Sequence, residues 1–162
     1  MNARVKPEPV ARLCGEKAYS PGRTACPVDL RLDGNEGRVP PRGLLESLVD
    51  RGPEILRRYP DRADLEAALA ATVGLDPAAV LATAGADDAL DRLCRAYLEP
   101  GRNLVVATPT FEMIPRYARL AGADIRTTPW PAERFPTDEV LALADRGTGI
   151  IAVVTPNNPT GQ

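Results

Sequence analysis

Histidine is absent from the 162 residues of this chain. No Ser-His-Asp or Cys-His nucleophile can therefore be assembled within it. Lysine is nearly absent too. Of 20 basic residues only Lys6 and Lys17 are lysines, and the rest are arginines. The three cysteines, Cys14, Cys26 and Cys94, are widely spaced and form no CxxC pair. Without histidine to complete a ligand set they exclude a zinc site, and they read as reduced thiols of a cytosolic protein. Aromatic residues make up 4%, too few for the stacking platforms that bind single-stranded nucleic acid. A net charge of −2 provides no field to gather nucleic acid or an anionic membrane. No apolar run approaches the length of a membrane span. The amino terminus, MNARVKPEPVARLCGEK, mixes prolines with charges of both signs and lacks the apolar centre of a signal peptide. The expectation is a soluble cytoplasmic protein without nucleic-acid or membrane partners.

What is present suffices for a core, with 44% apolar residues. Residues 1–27 hold Pro7, Pro9, Pro21, Gly22 and Pro27 without periodicity and read as an extended arm. Period-two alternation at Val28, Leu30 and Leu32 predicts a short strand feeding a polar, glycine-rich turn. Helical spacing follows at Leu44, Leu45, Leu48 and Val49. It recurs at Leu65, Leu69 and Val73, between a capping Asp61 and a terminating Gly74. From residue 80 the rhythm becomes strand, helix, strand. VLATAG, NLVVATP, ADIRTTPW and TGIIAVVTP are the strands. The helices between them begin at Ala86, Thr110 and Thr137, with Leu90, Leu93, Cys94, Tyr97 and Leu98 as the inner face of the first and Thr137 as the cap of the last. Alternation of this kind predicts an α/β fold, a mostly parallel sheet flanked by helices. About four strands are expected, the last with an unpaired apolar edge that makes the isolated chain prone to aggregate.

Open parallel sheets bind ligands at the carboxyl ends of their strands, so three strand ends are candidate sites. At Thr83-Ala84-Gly85-Ala86-Asp87 a glycine allows a sharp turn, after which the Ala86 and Asp87 amides face outward at the positive end of a helix dipole. That suits a phosphate, although Asp87 and Asp88 would repel one and an ordinary strand-to-helix turn needs the same residues. Phe111 follows Pro109-Thr110, where its ring could cover a flat ligand or anchor the helix. Asn157-Asn158-Pro159-Thr160-Gly161 joins hydrogen-bonding amides to a restricted turn. The chain contains neither GxGxxG nor GxxxxGK[ST], which argues against a nucleotide-binding domain.

VVTPNNPTG closely resembles the hallmark of the class I/II aminotransferases, the fold type I pyridoxal-phosphate enzymes. Other segments resemble the family in the same order: LDGNEG, RYPD, AGADDALDRLCRAYLEPG and PTFEMIPRYARLAGA. The likeness is nearest to the histidinol-phosphate aminotransferase branch and covers about residues 28–161. It implies an arm over residues 1–27 and, over 28–162, the first part of the family's large domain. It also implies pyridoxal 5'-phosphate as cofactor. Ala86 and Asp87 would present amides to its phosphate, Phe111 would stack on its ring in place of the usual tyrosine, and Asn158 would hydrogen-bond the ring hydroxyl. Tyr59 would reach the phosphate of the neighbouring subunit in a homodimer, and Asn35 and Glu36 would lie near the substrate entrance. Gly37 and Asp88 depart from the family's preferred Asn and Glu.

The implied reaction moves an amino group between an amino acid and a 2-oxo acid or phosphorylated ketone. In the family the Schiff-base lysine, the aspartate that pairs with the pyridine nitrogen and the arginine for the substrate carboxylate all follow the NPTG turn. Lys6 and Lys17 match none of these positions, so the chain alone is expected to be inactive. A phosphoamino-acid decarboxylase of the same family and a non-catalytic binding or dimerisation module are the alternatives.

Overall fold

A computed structural model describes residues 9–15, 37–131 and 134–162. The strand expected around Val28 to Leu32 lies outside these residues, as do Asn35, Glu36, Cys26 and both lysines. The described residues fall into two units, one drawn from 17–82 and the other from 1–16 and 83–162.

In the first unit, α1 (Arg42–Asp50) starts behind Pro41 and α2 (Ala63–Val73) ends at Gly74. Asp61 accepts from the Ala63 N–H at 2.9 Å, and Arg62 is the cap position itself. The expected stripe of Leu65, Leu69 and Val73 is exposed, and Ala70 is the buried residue of α2. Its packing partner here is the small Pro77–Ala79 turn, which fits against the alanine side of the helix. The predicted strand at VLATAG is not formed, and residues 80–83 have no regular structure. The main-chain groups a neighbouring strand would satisfy are engaged by α2 instead. The Ala82 N–H donates to Glu66 at 2.9 Å, and the Ala82 carbonyl accepts from Arg62 at 2.9 Å.

The second unit is a parallel α/β layer. Its elements after α3 (Gly85–Tyr97) are β1 (Asn103–Thr108), α4 (Met113–Ala121), β2 (Asp124–Pro129), α5 (Thr137–Leu143) and β3 (Thr148–Ala152). The strands are ordered β2-β1-β3, all parallel, so three strands stand where about four were expected. Central β1 is buried over Asn103 to Ala107, as its apolar run Leu104 to Ala107 requires. Leu104 and Val106 join Cys94 and Leu98 of α3 and Ile114 and Ala118 of α4 on one face. Val105 and Ala107 join Trp130 and Val140 of α5 on the other. Leu93 and Tyr97, expected on the inner face of α3, are exposed, because that helix covers the sheet with a narrower stripe. Pro115 falls in the first turn of α4, as its missing N–H requires. Thr137 is the first residue of α5 and makes no capping bond, since Pro136 holds the cap position.

Parallel crossovers are right-handed. The chain steps from β1 to β2 on one side, then returns past β1 to β3. That reversal places α4 and α5 on opposite faces, as observed. The carboxyl ends of β1 and β3 are thus the switch point at which open sheets of this kind form their ligand crevice.

Candidate active site

Two loops meet at that crevice, and Asn157 joins them. Its side chain is 2% exposed. The amide nitrogen donates to the Pro109 carbonyl at 2.9 Å and to the Thr160 hydroxyl at 2.8 Å, while the oxygen accepts from the Thr110 hydroxyl at 3.0 Å. The Pro109 carbonyl can only accept, so the atom facing it must be the nitrogen. The main chain closes the turn: Gly161 N–H donates to the Asn157 carbonyl, and Asn157 N–H to the Gln162 carbonyl, both at 2.6 Å. Burying an amide with these bonds unmade would cost about 1–3 kcal/mol.

This clasp sets two expected site residues at one crevice. Phe111, next after Thr110, is half-buried and packs against the cluster around Leu104 and Ile114. Asn158, next after Asn157, is exposed and makes no side-chain hydrogen bond among the described residues. The resemblance assigns Asn158 to the ligand and leaves Asn157 without a role of its own. Only its partners at Pro109 and Thr110, 48 and 47 residues away, give it one.

The amino terminus of α3 lies in the same unit. Gly85 has φ +85°, the turn its lack of a Cβ permits. The Ala86 and Asp87 N–H groups belong to the first helical turn and find no backbone acceptor among the described residues. Of the two carboxylates expected to repel a phosphate, Asp88 is engaged within its own helix entry. One carboxylate oxygen accepts from the Ala84 N–H at 3.0 Å, the other from the Arg92 Nε at 2.8 Å. Tyr117 of α4 sits close enough to feel Asp87 and Asp91. Burial pushes its hydroxyl pKa up, and those negative charges add to the rise. Burial likewise raises the pKa of the Cys94 thiol, with Asp91 adding, and Cys94 packs in the cluster with Leu98 and Leu104. The donor set of amides, aromatic ring and presented side-chain amide fits a phosphorylated planar ring. A cleft of about 510 Å³ at the end of β2, reached by Arg134 and Asp138, contains none of these residues.

The family profile described as Aminotransferase class I and II matches residues 32–162. The chain belongs to the class I and II aminotransferases. Members of this family are pyridoxal-phosphate enzymes. Histidinol-phosphate aminotransferase of Rhodospirillum centenum is 37% identical over 156 residues, 94% of this chain and 42% of that protein. The aromatic amino acid aminotransferase of Mycobacterium bovis is 33% identical over 99% of this chain and 45% of its own length. Among solved structures, N-succinyldiaminopimelate aminotransferase of Mycobacterium tuberculosis aligns with a TM-score of 0.67 at 26% identity, covering 75% of this chain and 35% of that one. The chain thus spans less than half the length of these aminotransferases.

Of the site residues expected from sequence, Phe111 and Asn158 are brought to one crevice, and Ala86 and Asp87 open the helix beside the same sheet. Tyr59 belongs to the other unit and is fully exposed. Asn35 and Glu36 fall outside the described residues. Asn157 is the site residue that sequence reasoning passed over.

Proposed function

We propose that this chain contributes part of the pyridoxal 5'-phosphate cradle of an aminotransferase. The enzyme moves an amino group between an amino acid and a 2-oxo acid or phosphorylated ketone. The observation that supports this most is the joining of the loops after β1 and β3 by Asn157, with Phe111 and Asn158 flanking it. In this reading the Ala86 and Asp87 amides take the cofactor phosphate, aided by the α3 dipole. Phe111 covers one face of the ring and Asn158 donates to its hydroxyl. Tyr59 completes the phosphate site of a second subunit in a homodimer, and Asn35 and Glu36 line the substrate entrance. When bound, the cofactor supplies the electron sink for bond breaking at the substrate α-carbon. The similarity to histidinol-phosphate aminotransferases supports a phosphorylated amino substrate.

Lys6 and Lys17 match no position of the family's Schiff-base lysine, so the 162-residue polypeptide is expected to hold the cofactor without a specific covalent attachment. Titration with pyridoxal 5'-phosphate is expected to saturate, and borohydride treatment to leave no single amine stoichiometrically labelled. Asn158→Ala is expected to weaken binding about tenfold, the worth of one good hydrogen bond. Failure to saturate would overturn the reading. The substrate is tested on the complete protein by comparing amino transfer from histidinol phosphate with that from an aromatic amino acid.

A further inference from the structure

We propose that Asn157 is a positioning residue that sets the ring grip of the cofactor site separately from its phosphate grip. This rests on the cofactor reading above.

Three observations carry it. First, among the described residues Asn157 makes the hydrogen bonds that join the 155–162 turn to the 109–110 loop. Its three side-chain bonds fix both loops at one point. Second, the neighbours of the clasp are the two ring-facing groups. Phe111 follows Thr110, and Asn158 stands between Asn157 and Pro159, whose ring limits the backbone. A shift at the clasp therefore moves both. Third, the Ala86 and Asp87 amides are held by a different device, the Asp88 carboxylate on Ala84 N–H with Arg92 behind it. Nothing in that device passes through Asn157.

The chemistry requires asparagine in particular. One end must donate to a carbonyl while the other accepts from a hydroxyl. Aspartate keeps the acceptor for Thr110 but sets an oxygen against the Pro109 carbonyl, where two acceptors repel.

The test uses the complete protein that contains this chain, with Asn157→Asp, Thr110→Val and, as reference, Asn158→Ala. The probe is pyridoxal 5'-phosphate, with inorganic phosphate as competitor. Three quantities are read: affinity for the probe, the competition constant of phosphate, and the pH at which the bound ring oxygen ionises, followed by absorbance. Asn157→Asp is expected to weaken the probe about tenfold and Thr110→Val about threefold, as expected for bonds of this class. Both are expected to shift the ring-oxygen titration to higher pH, as Asn158→Ala does, because a displaced Asn158 no longer donates to the ionised oxygen. The phosphate constant should stay unchanged, and Asn157→Asp added to Asn158→Ala should move the ring titration no further. A parallel loss of phosphate and probe affinity would mean general loosening of the site and would refute the role. So would ordinary probe affinity and ring titration in both clasp variants while Asn158→Ala is impaired. If Asn157→Asp does not fold, Thr110→Val decides, since it removes one leg of the clasp and keeps the side-chain volume. No saturable binding by the unsubstituted complete protein would refute the cofactor reading and this role with it.

Discussion

Gly149 shows what one missing side chain does. It sits where the β1–β3 register shifts, between the Asn103–Thr148 and Leu104–Ile150 pairs. A Cβ there would collide with the Tyr97 carbonyl and the Leu98 side chain at the end of α3. Gly149→Ala is expected to push α3 off β3 and cost about 1–3 kcal/mol by overpacking, measured as a lower urea midpoint. Asp145 acts at the opposite end of the sheet from the crevice. Arg126 at 2.8 Å, Asn103 at 3.2 Å and the Gly147 N–H at 2.8 Å converge on its carboxylate. The Arg126 hydrogen bond is the main reason its pKa is lowered to about 2 from 3.8. Because the folded value is depressed, its stabilisation is fully present above the ordinary value. It is lost as pH falls through about 2. Denaturation midpoints are expected to drop between pH 4 and pH 2, and to drop less in Asp145→Asn. Neither effect is visible along the sequence, because each depends on groups far away in the chain.

At the scale of elements, α3 carries both packing and function in its first turn. Gly85 at φ +85° sets its entry, and Asp88 closes it by accepting from the Ala84 N–H while paired with Arg92. Asp88→Ala is expected to cost about 1 kcal/mol as a lost cap. It should also fray the turn that presents the Ala86 and Asp87 amides, which amide hydrogen exchange at those residues would detect. The apolar runs of β1 and β3 and the spacing of α3 and α4 announced these elements directly. VLATAG misled for a physical reason. An apolar run specifies a strand only where another strand satisfies its main chain, and Glu66 and Arg62 satisfy Ala82 here. The stripe on α2 misled likewise, since helical period marks a face suited to burial but does not supply the surface that buries it.

For the whole molecule, the β2-β1-β3 order leaves β3 with a strand neighbour on one side among the described residues. Ile151 is exposed on it and Val153 just after it. Such an edge pairs readily with another chain, so the 162-residue polypeptide is expected to self-associate. Ile151→Lys should reduce the light scattering of its solutions. No described helix is long and apolar enough to cross a membrane. The sequence by itself determined the α/β class and the family, because apolar period and ordered short motifs are local properties. It also named Phe111, Asn158, Ala86 and Asp87 as candidates. Only the tertiary structure decided that β1 and β3 are neighbours, that the strand order reverses between them, and that Asn157 is buried while Asn158 is presented. The physical reason is that a hydrogen bond between Asn157 and Pro109 exists only once the sheet has brought residues 48 positions apart within reach of each other.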